Sequence, residues 1–168
     1  MTKEDTLRRA DQDLAEGRAT EGRQRLRSLL EAKPDYIEAR EMLAESYRRA
    51  NNLAQAGRWA FATEQLGEAE LAAFRKCFAH DPVQMMRALV WRGSEEDATS
   101  EVVRTRLREL RREAEAKAGT SLPWERPAYP RARMSGLARL LGFSVAILVL
   151  TCLVVGVVTV IQHVLGWL

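Results

Sequence analysis

Histidine and cysteine are scarce in this sequence, which has two residues of each among 168. His163 and Cys152 lie in the apolar C-terminal region, so the polar part holds one histidine, His80, and one cysteine, Cys77. No Ser/His/Asp or Cys/His catalytic set can be built from a domain with one histidine. Cys77-x-x-His80 supplies two ligands, whereas a tetrahedral zinc site needs three or four. We therefore expect no enzymatic activity, no metal site and no cofactor.

A β-strand pattern and an N-terminal signal sequence are also missing. No segment before residue 120 alternates between polar and apolar residues, so no glycine-rich phosphate loop follows a strand. The N-terminal stretch MTKEDTLRRADQD has no apolar core, so we expect no cleavable signal peptide. Apolar residues recur every three or four positions instead, and this spacing predicts an all-α fold.

Capping signatures and chain breakers mark the predicted helices. A small polar residue followed three positions later by an acidic one predicts a helix start, and glycine, proline or asparagine predicts an end. The predicted starts are Thr2 with Asp5, Asp35 with Glu38, Asp81 before Pro82, and Ser94 with Asp97. The predicted ends are Gly17, Pro34, Asn51-Asn52 and Gly119.

The stretch PDYIEAREMLAESYRRANNLAQAGRWA resembles the tetratricopeptide unit, a helix-turn-helix repeat of about 34 residues. The residues that carry the resemblance are Leu43, Ala44 and Tyr47, the turn residue Asn51 and the helix-crossing residue Ala56. One period earlier, the turn, crossing and terminal positions are taken by Gly17, Gly22 and Pro34. The match covers about residues 3–62.

The first repeat departs from the pattern, because Thr6 and Asp13 stand where the repeat has Trp and Tyr. Two repeats do not ordinarily bury a core alone, so the later helices are expected to close this short array as a helical cap. As a whole, residues 1–119 also resemble a family of uncharacterised bacterial proteins with a tetratricopeptide-like start. That resemblance implies an architecture and no activity.

The concave face of a tetratricopeptide array usually binds peptides, so the resemblance implies a partner-binding surface on the third helix. By position, its residues are Glu38, Glu41, Glu45, Arg48 and Arg49. The clamp for C-terminal carboxylates needs Lys and Asn where Glu41 and Glu45 stand, so that binding mode is not expected. An acidic groove would favour a basic or amine-rich protein ligand, unless the later helices fill the groove.

The segment RTRLRELRR, residues 104–112, is a local concentration of positive charge. Three interpretations are open: a solvated helix face that pairs with nearby glutamates, contact with anionic lipid headgroups, and nucleic-acid binding. The first is favoured because Glu101 and Glu115 fall on the same helical arc as the arginines. We do not expect nucleic acid as a partner on this pattern.

The run LLGFSVAILVLTCLVVGVVTVI, residues 140–161, contains no charged side chain. As a helix at about 1.5 Å per residue it is roughly 33 Å long, enough to cross a hydrocarbon core of about 30 Å. We predict one C-terminal transmembrane helix in the lipid bilayer. The predicted organisation is a helical domain at 1–119, a Pro/Arg-rich juxtamembrane linker at 120–139, the span at 140–161 and a short outer tail at 162–168.

The flanks of the run predict its orientation. The formal net charge of +3 lies in residues 120–139, which hold four arginines and one glutamate. Arg131, Arg133 and Arg139 precede the run, and no Lys or Arg follows it, so the positive-inside rule predicts a cytoplasmic N-terminal domain. The aromatic residues expected at the membrane interface are Trp124, Tyr129 and Trp167. We expect a single-pass, tail-anchored protein of the plasma (inner) membrane.

Two functions are compatible with these features. The first is a non-enzymatic adaptor that presents its helical domain to protein partners at the cytoplasmic face of the membrane. The alternative is an accessory or assembly subunit of an integral membrane complex, which would bind through its transmembrane helix. A partner that binds the domain alone favours the adaptor, and a partner that requires residues 140–161 favours the subunit.

Overall fold

Seven α-helices and one short 3₁₀ helix make up the computed structural model, which describes residues 2–129. In chain order they are α1 (Lys3–Ala15), α2 (Ala19–Ala32), α3 (Ile37–Arg49), α4 (Leu53–Ala60), α5 (Glu68–Cys77), α6 (Pro82–Leu89), the 3₁₀ helix (Glu95–Asp97) and α7 (Glu101–Ala118). No strand occurs between residues 2 and 129, which confirms the all-α prediction. None of the helices in this range is long and apolar enough to cross a membrane. The predicted span at 140–161 and the tail at 162–168 lie outside the described residues.

Several helix ends follow the sequence signals. The Thr2 hydroxyl accepts a hydrogen bond from the Asp5 backbone N–H at 3.1 Å, and the Asp5 carboxylate accepts one from the Thr2 N–H at 3.3 Å. This reciprocal pair satisfies N–H groups that have no partner inside α1. Asn51 takes a left-handed backbone conformation with φ of 52°, and the Asn52 side chain caps α4. The predicted turn between α3 and α4 is therefore confirmed.

Two predicted caps differ from the structure. Asp35 and Glu38 do not cap α3, whose N-cap is Tyr36 without a side-chain hydrogen bond. Ser94 and Asp97 do form a capping box, but it starts the 3₁₀ helix rather than α7. Extended backbone at Ala98 ends that short helix, and Ser100 caps α7 instead.

The helices bury two apolar clusters. The first is shared by the first four helices, α1, α2, α3 and α4, and consists of Ala10, Leu26, Leu29, Leu30, Ala39, Leu43, Ala44, Trp59 and Ala60. The second joins the end of α4 to α5, α6 and α7, and its largest side chains are Phe61, Phe74, Met85, Met86, Leu89, Trp91, Leu107 and Trp124. From α1 to α5 each helix packs against the next one along the chain, whereas α6 contacts α4 and α7, and the 3₁₀ helix contacts α7.

Close approach between neighbouring helices depends on two glycines. A Cβ at Gly22 would lie 2.8 Å from Leu14 Cγ, so the glycine allows α2 to approach α1. A Cβ at Gly57 would overlap the backbone carbonyl of Glu70 in the first turn of α5. Steric exclusion therefore explains the glycine at the predicted crossing position, Gly22. Gly57 is a second crossing position, which the repeat pattern did not indicate.

The departure of the first repeat at Asp13 has a physical explanation. The Asp13 carboxylate is buried, and it accepts hydrogen bonds from Arg18 Nη2 at 2.6 Å and from Arg25 Nε at 2.6 Å. These bonds from Arg25 and Arg18 hold the pKa of Asp13 below its ordinary value. A bridging carboxylate therefore joins α1 to α2 where an aromatic ring would otherwise pack.

Residues 121–129, which we name the C-terminal strap, pack back onto the helices. Leu122 and Trp124 are 2% and 4% exposed, and the Trp124 indole N–H donates to Glu95 Oε1 at 2.8 Å. The Tyr129 hydroxyl donates to the Asp81 carboxylate at 2.8 Å. This part of the chain packs as part of the domain, although it falls in the Pro/Arg-rich linker predicted for 120–139, because Trp124 fills the core and its N–H has a buried partner.

Candidate functional site

An open groove of about 280 Å³ lies between α1, the start of α2 and α3. Four apolar residues line it, and we call them its floor: Leu14, Ala15, Ala19 and Met42. Its rim carries two acids, Asp11 and Glu45, and two arginines, Arg23 and Arg49. We call this the N-terminal groove. No residue after Ala50 lines it, so within residues 2–129 the later helices leave it unfilled.

The charges on the rim are partly paired with one another. Arg49 Nε donates to Glu45 Oε1 at 3.2 Å. Arg23 donates to the Ser46 hydroxyl at 3.0 Å and stacks over the Tyr47 ring, with 4.4 Å between the guanidinium carbon and the ring centroid. The rim is therefore mixed in sign rather than acidic, and it favours a ligand with charges of both signs over the basic or amine-rich ligand expected from the sequence.

The lining of the N-terminal groove includes two of the five predicted partner-binding residues. Glu45 and Arg49 line the N-terminal groove, whereas Glu38 and Glu41 are absent from its lining. Arg48 points to the start of α5, where its Nε lies 2.5 Å from Glu70 Oε1 and its Nη2 donates to the Gln65 carbonyl at 2.6 Å. That arginine holds α3 against α5, and it lowers the pKa of Glu70 by hydrogen bonding to the carboxylate.

The arginines of α7 are largely occupied within the domain. Arg104 and Arg108 pair with Glu96 and Glu101, and Arg111 pairs with Glu95 and Glu115. Arg106 donates to the carbonyls of Phe61 and Thr63 at 2.8 and 2.9 Å. These contacts join α7 to the 3₁₀ helix and to the end of α4, and they agree with the ion-paired interpretation of residues 104–112.

Arg40 is a buried cation that the sequence pattern did not indicate as part of the core. It is 0% exposed, and it donates to the carbonyls of Pro34 at 2.8 Å, Leu89 at 3.1 Å and Val90 at 3.3 Å. Burial lowers the pKa of Arg40 to about 10, so the guanidinium remains charged at neutral pH. Arg58 adds a hydrogen bond to the Ala88 carbonyl at 2.6 Å. Two arginines thus satisfy carbonyls at the C-terminal end of α6.

The residues predicted at the membrane interface fall into two groups. Trp124 and Tyr129 belong to the C-terminal strap, where Trp124 is buried and Tyr129 is 38% exposed. Arg131, Arg133, Arg139 and Trp167 lie outside the described residues. Between residues 2 and 129, no three His, Cys, Asp or Glu side chains are grouped so that they could hold a metal ion.

We expect the free energy of unfolding to decrease as the pH falls through the carboxyl range. Arg48 lowers the pKa of Glu70; burial would raise that of Glu95, but Trp124 and Arg111 hold it below its ordinary value. A carboxyl group whose pKa is lower in the folded protein than in the unfolded chain stabilises the fold at pH values above its unfolded-state pKa, which is near 4.5 for glutamate. This contribution is lost as the pH falls towards the folded pKa.

Urea unfolding of the full chain in nonionic detergent, at pH 7, 5 and 3, measures this dependence. Glu70→Gln should weaken the dependence on pH, because the titrating group is removed, whereas the exposed control Glu64→Gln should retain it. Equal stability of the unmodified chain at pH 7 and pH 3 would contradict the expectation.

The described residues thus define a small all-α domain with an open groove on its first three helices. The chain belongs to the family of unknown function DUF6584, whose family model matches residues 1–162. No curated protein and no solved structure matches the chain.

Proposed function

We propose that this protein is a membrane-tethered adaptor whose tetratricopeptide-like domain binds a protein partner at the cytoplasmic face of the plasma (inner) membrane. The observation that carries the proposal is the open N-terminal groove, with an apolar floor and a charged rim. The predicted span at 140–161 and the arginines before it supply the tether and its orientation. Tethering raises the effective concentration of the groove toward partners in the same membrane.

The shape of the groove specifies the kind of ligand. A volume of about 280 Å³ accommodates one or two side chains, so the ligand is a short segment of a protein rather than a whole domain. The apolar floor at Leu14 and Met42 favours an apolar anchor side chain. The mixed rim favours flanking charges of both signs, which orient the segment along α3.

Photo-crosslinking in the native membrane tests this proposal. A benzophenone amino acid is introduced at Asp11 or Glu45 on the rim, at Glu31 on the exposed face of α2, or at Val155 in the predicted span. We expect the two rim positions to crosslink the same protein and Glu31 to give no such product. Filling the groove with Ala15→Trp should abolish the product, whereas Ala116→Trp on the exposed face of α7 should leave it unchanged.

The same experiment distinguishes the adaptor from an accessory subunit of a membrane complex. Crosslinks confined to Val155, with none from Asp11 or Glu45, would assign binding to the span and exclude the groove. A rim product that persists in the Ala15→Trp variant would also contradict groove binding.

A further inference from the structure

A second cleft, of about 430 Å³, lies between the C-terminal end of α6 and the C-terminal strap. Arg87 and Arg92 stand on one side of it, and Arg126 stands on the other. Among the described residues that line it, Glu125 is the one carboxylate, so this lining has an excess of positive charge. We call it the basic cleft.

The three arginines of this cleft are not used to hold the domain together. All three are exposed, and within residues 2–129 none of them forms an ion pair. Arg87 has one long hydrogen bond, of 3.5 Å, to Gln84, and the described residues offer no partner to Arg92 or Arg126. Four arginines of α7, in contrast, are paired with carboxylates or backbone carbonyls: Arg104, Arg106, Arg108 and Arg111. The charge of the basic cleft is therefore available to a ligand.

The remaining walls are aromatic and apolar. Trp91 and Trp124 line the cleft together with Met86, Val90 and Pro127. The indole Nε1 of Trp91 is buried and has no hydrogen-bond partner among the described residues. Val90 has a φ of 52°, which is an unfavourable conformation for a β-branched residue. Backbone strain of this kind persists where the surroundings enforce it, and it frequently accompanies a binding site.

The cleft is formed before any ligand arrives. Arg40 fixes the carbonyls of Leu89 and Val90, and Glu95 fixes the Trp124 indole. At the other end of α6, the bond from Tyr129 to Asp81 holds the strap along the helix. A preformed site avoids the entropic cost of ordering the strap when a ligand binds.

We infer that the basic cleft binds the phosphate-bearing headgroup of an anionic lipid. Arginine matches phosphate oxygens in geometry and charge, and three arginines around a cleft of this size can surround one headgroup. Trp91 and Trp124 are 2% and 4% exposed, so the edges of their rings give the cleft a narrow apolar wall beside the arginines. A partner that combines phosphate with apolar groups fits both kinds of wall, whereas a free anion would use only the arginines.

The position of the cleft in the chain agrees with this ligand. Ten residues lie between Tyr129 and Leu140, where the predicted span begins. At no more than about 3.6 Å per residue, they keep the strap within roughly 40 Å of the bilayer core. This step rests on the predicted span of the proposed function, but binding of a headgroup in solution does not depend on it.

Titration of the full chain in nonionic detergent tests the assignment, with tryptophan fluorescence as the readout. The probes are dihexanoyl phosphatidylglycerol, dihexanoyl phosphatidylcholine, inorganic phosphate and an acidic glutamate peptide. We expect saturable binding of phosphatidylglycerol and at least roughly tenfold weaker binding of the other three. The triple variant R87Q/R92Q/R126Q should lose about tenfold or more in affinity for phosphatidylglycerol, and R8Q/R27Q/R112Q, which removes the same charge from other exposed positions, should lose little.

Four results would overturn the assignment. Equal affinities of the two triple variants for phosphatidylglycerol would exclude the basic cleft as the binding site. Equal binding of phosphatidylcholine would show that the site does not select lipids by charge. Inorganic phosphate that binds as tightly as phosphatidylglycerol would indicate a free-anion site, and tighter binding of the glutamate peptide would indicate a protein ligand. The lipid preference of the unmodified chain tests the proposal even without the variants, and partner crosslinking from the N-terminal groove is independent of all four results.

Discussion

Replacing Arg40 with methionine is expected to destabilise the folded domain by about 3 kcal/mol. The variant removes the guanidinium that donates to the carbonyls of Pro34, Leu89 and Val90. Hydrogen bonds from a charged donor contribute about 1.5–3 kcal/mol each, and buried carbonyls left without partners carry a desolvation penalty. Removing the buried charge offsets part of this loss, so the expected net cost is smaller than the sum of three bonds.

Methionine is the informative substitution because it retains most of the volume of the arginine stem. A cavity is thereby avoided, and the loss reports on the carbonyls rather than on packing. Urea unfolding of the full chain in nonionic detergent, followed by far-UV circular dichroism, measures the change. The matched control is Arg49→Met, since that side chain is 71% exposed and its pair with Glu45 should contribute within about 0.5 kcal/mol.

An Arg40→Met variant as stable as Arg49→Met would mean that the buried guanidinium costs as much as its hydrogen bonds contribute. Arg40→Met should also change the local backbone dynamics. Backbone amides of residues 90–92 should exchange faster in Arg40→Met than in the control, because Arg40 holds the strained segment at Val90. This change should also weaken binding of phosphatidylglycerol at the basic cleft.

The helices themselves could be predicted from local signals. The Thr2 capping box, the Asn51 turn and the end of α7 at Gly119 depend on residues close together in the sequence. Ser94 and Asp97 were assigned to the wrong helix because a capping box is equally compatible with a short 3₁₀ helix. The break at Ala98 follows from packing, since this residue is buried in the second cluster.

Arg40 was missed because hydrophobic patterning treats every arginine as a surface residue. Its register was nevertheless informative: Arg40 follows Tyr36 by four positions and precedes Leu43 by three, which places it on the buried face of α3. The partners of Arg40 at Leu89 and Val90 lie 49 and 50 positions further along the chain. Contacts at that separation leave no local sequence signal.

The binding residues were only partly predictable for a related reason. The tetratricopeptide resemblance selected one face of α3, and Glu45 and Arg49 do line the N-terminal groove. It could not indicate that Arg48 forms an ion pair with Glu70. Nor could it indicate that Asp11 of α1 and Arg23 of α2 complete the rim of the groove. A groove is a property of how helices pack, whereas a repeat pattern describes one helix pair at a time.

The strap provides the second large expected effect. Trp124→Ala should cost about 3–5 kcal/mol, because an indole that is 4% exposed leaves a large cavity when it is truncated. The same change removes the donor to Glu95, whose carboxylate then has Arg111 as its one side-chain partner within residues 2–129. Urea unfolding of the full chain measures the loss, and cleavage after Glu125 by a glutamate-specific protease should accelerate as the strap detaches.

Trp124→Phe separates the two contributions, since phenylalanine keeps most of the apolar burial and loses the N–H. It should cost about 1–2 kcal/mol, with the remainder of the alanine effect assigned to packing. Tyr129→Phe, at the exposed end of the strap, should cost less than about 1 kcal/mol. If Trp124→Ala is as mild as Tyr129→Phe, residues 121–129 behave as the extended linker that their proline and arginine content predicts. If it is severe, the domain extends to residue 129, and only about ten residues remain between it and the predicted span.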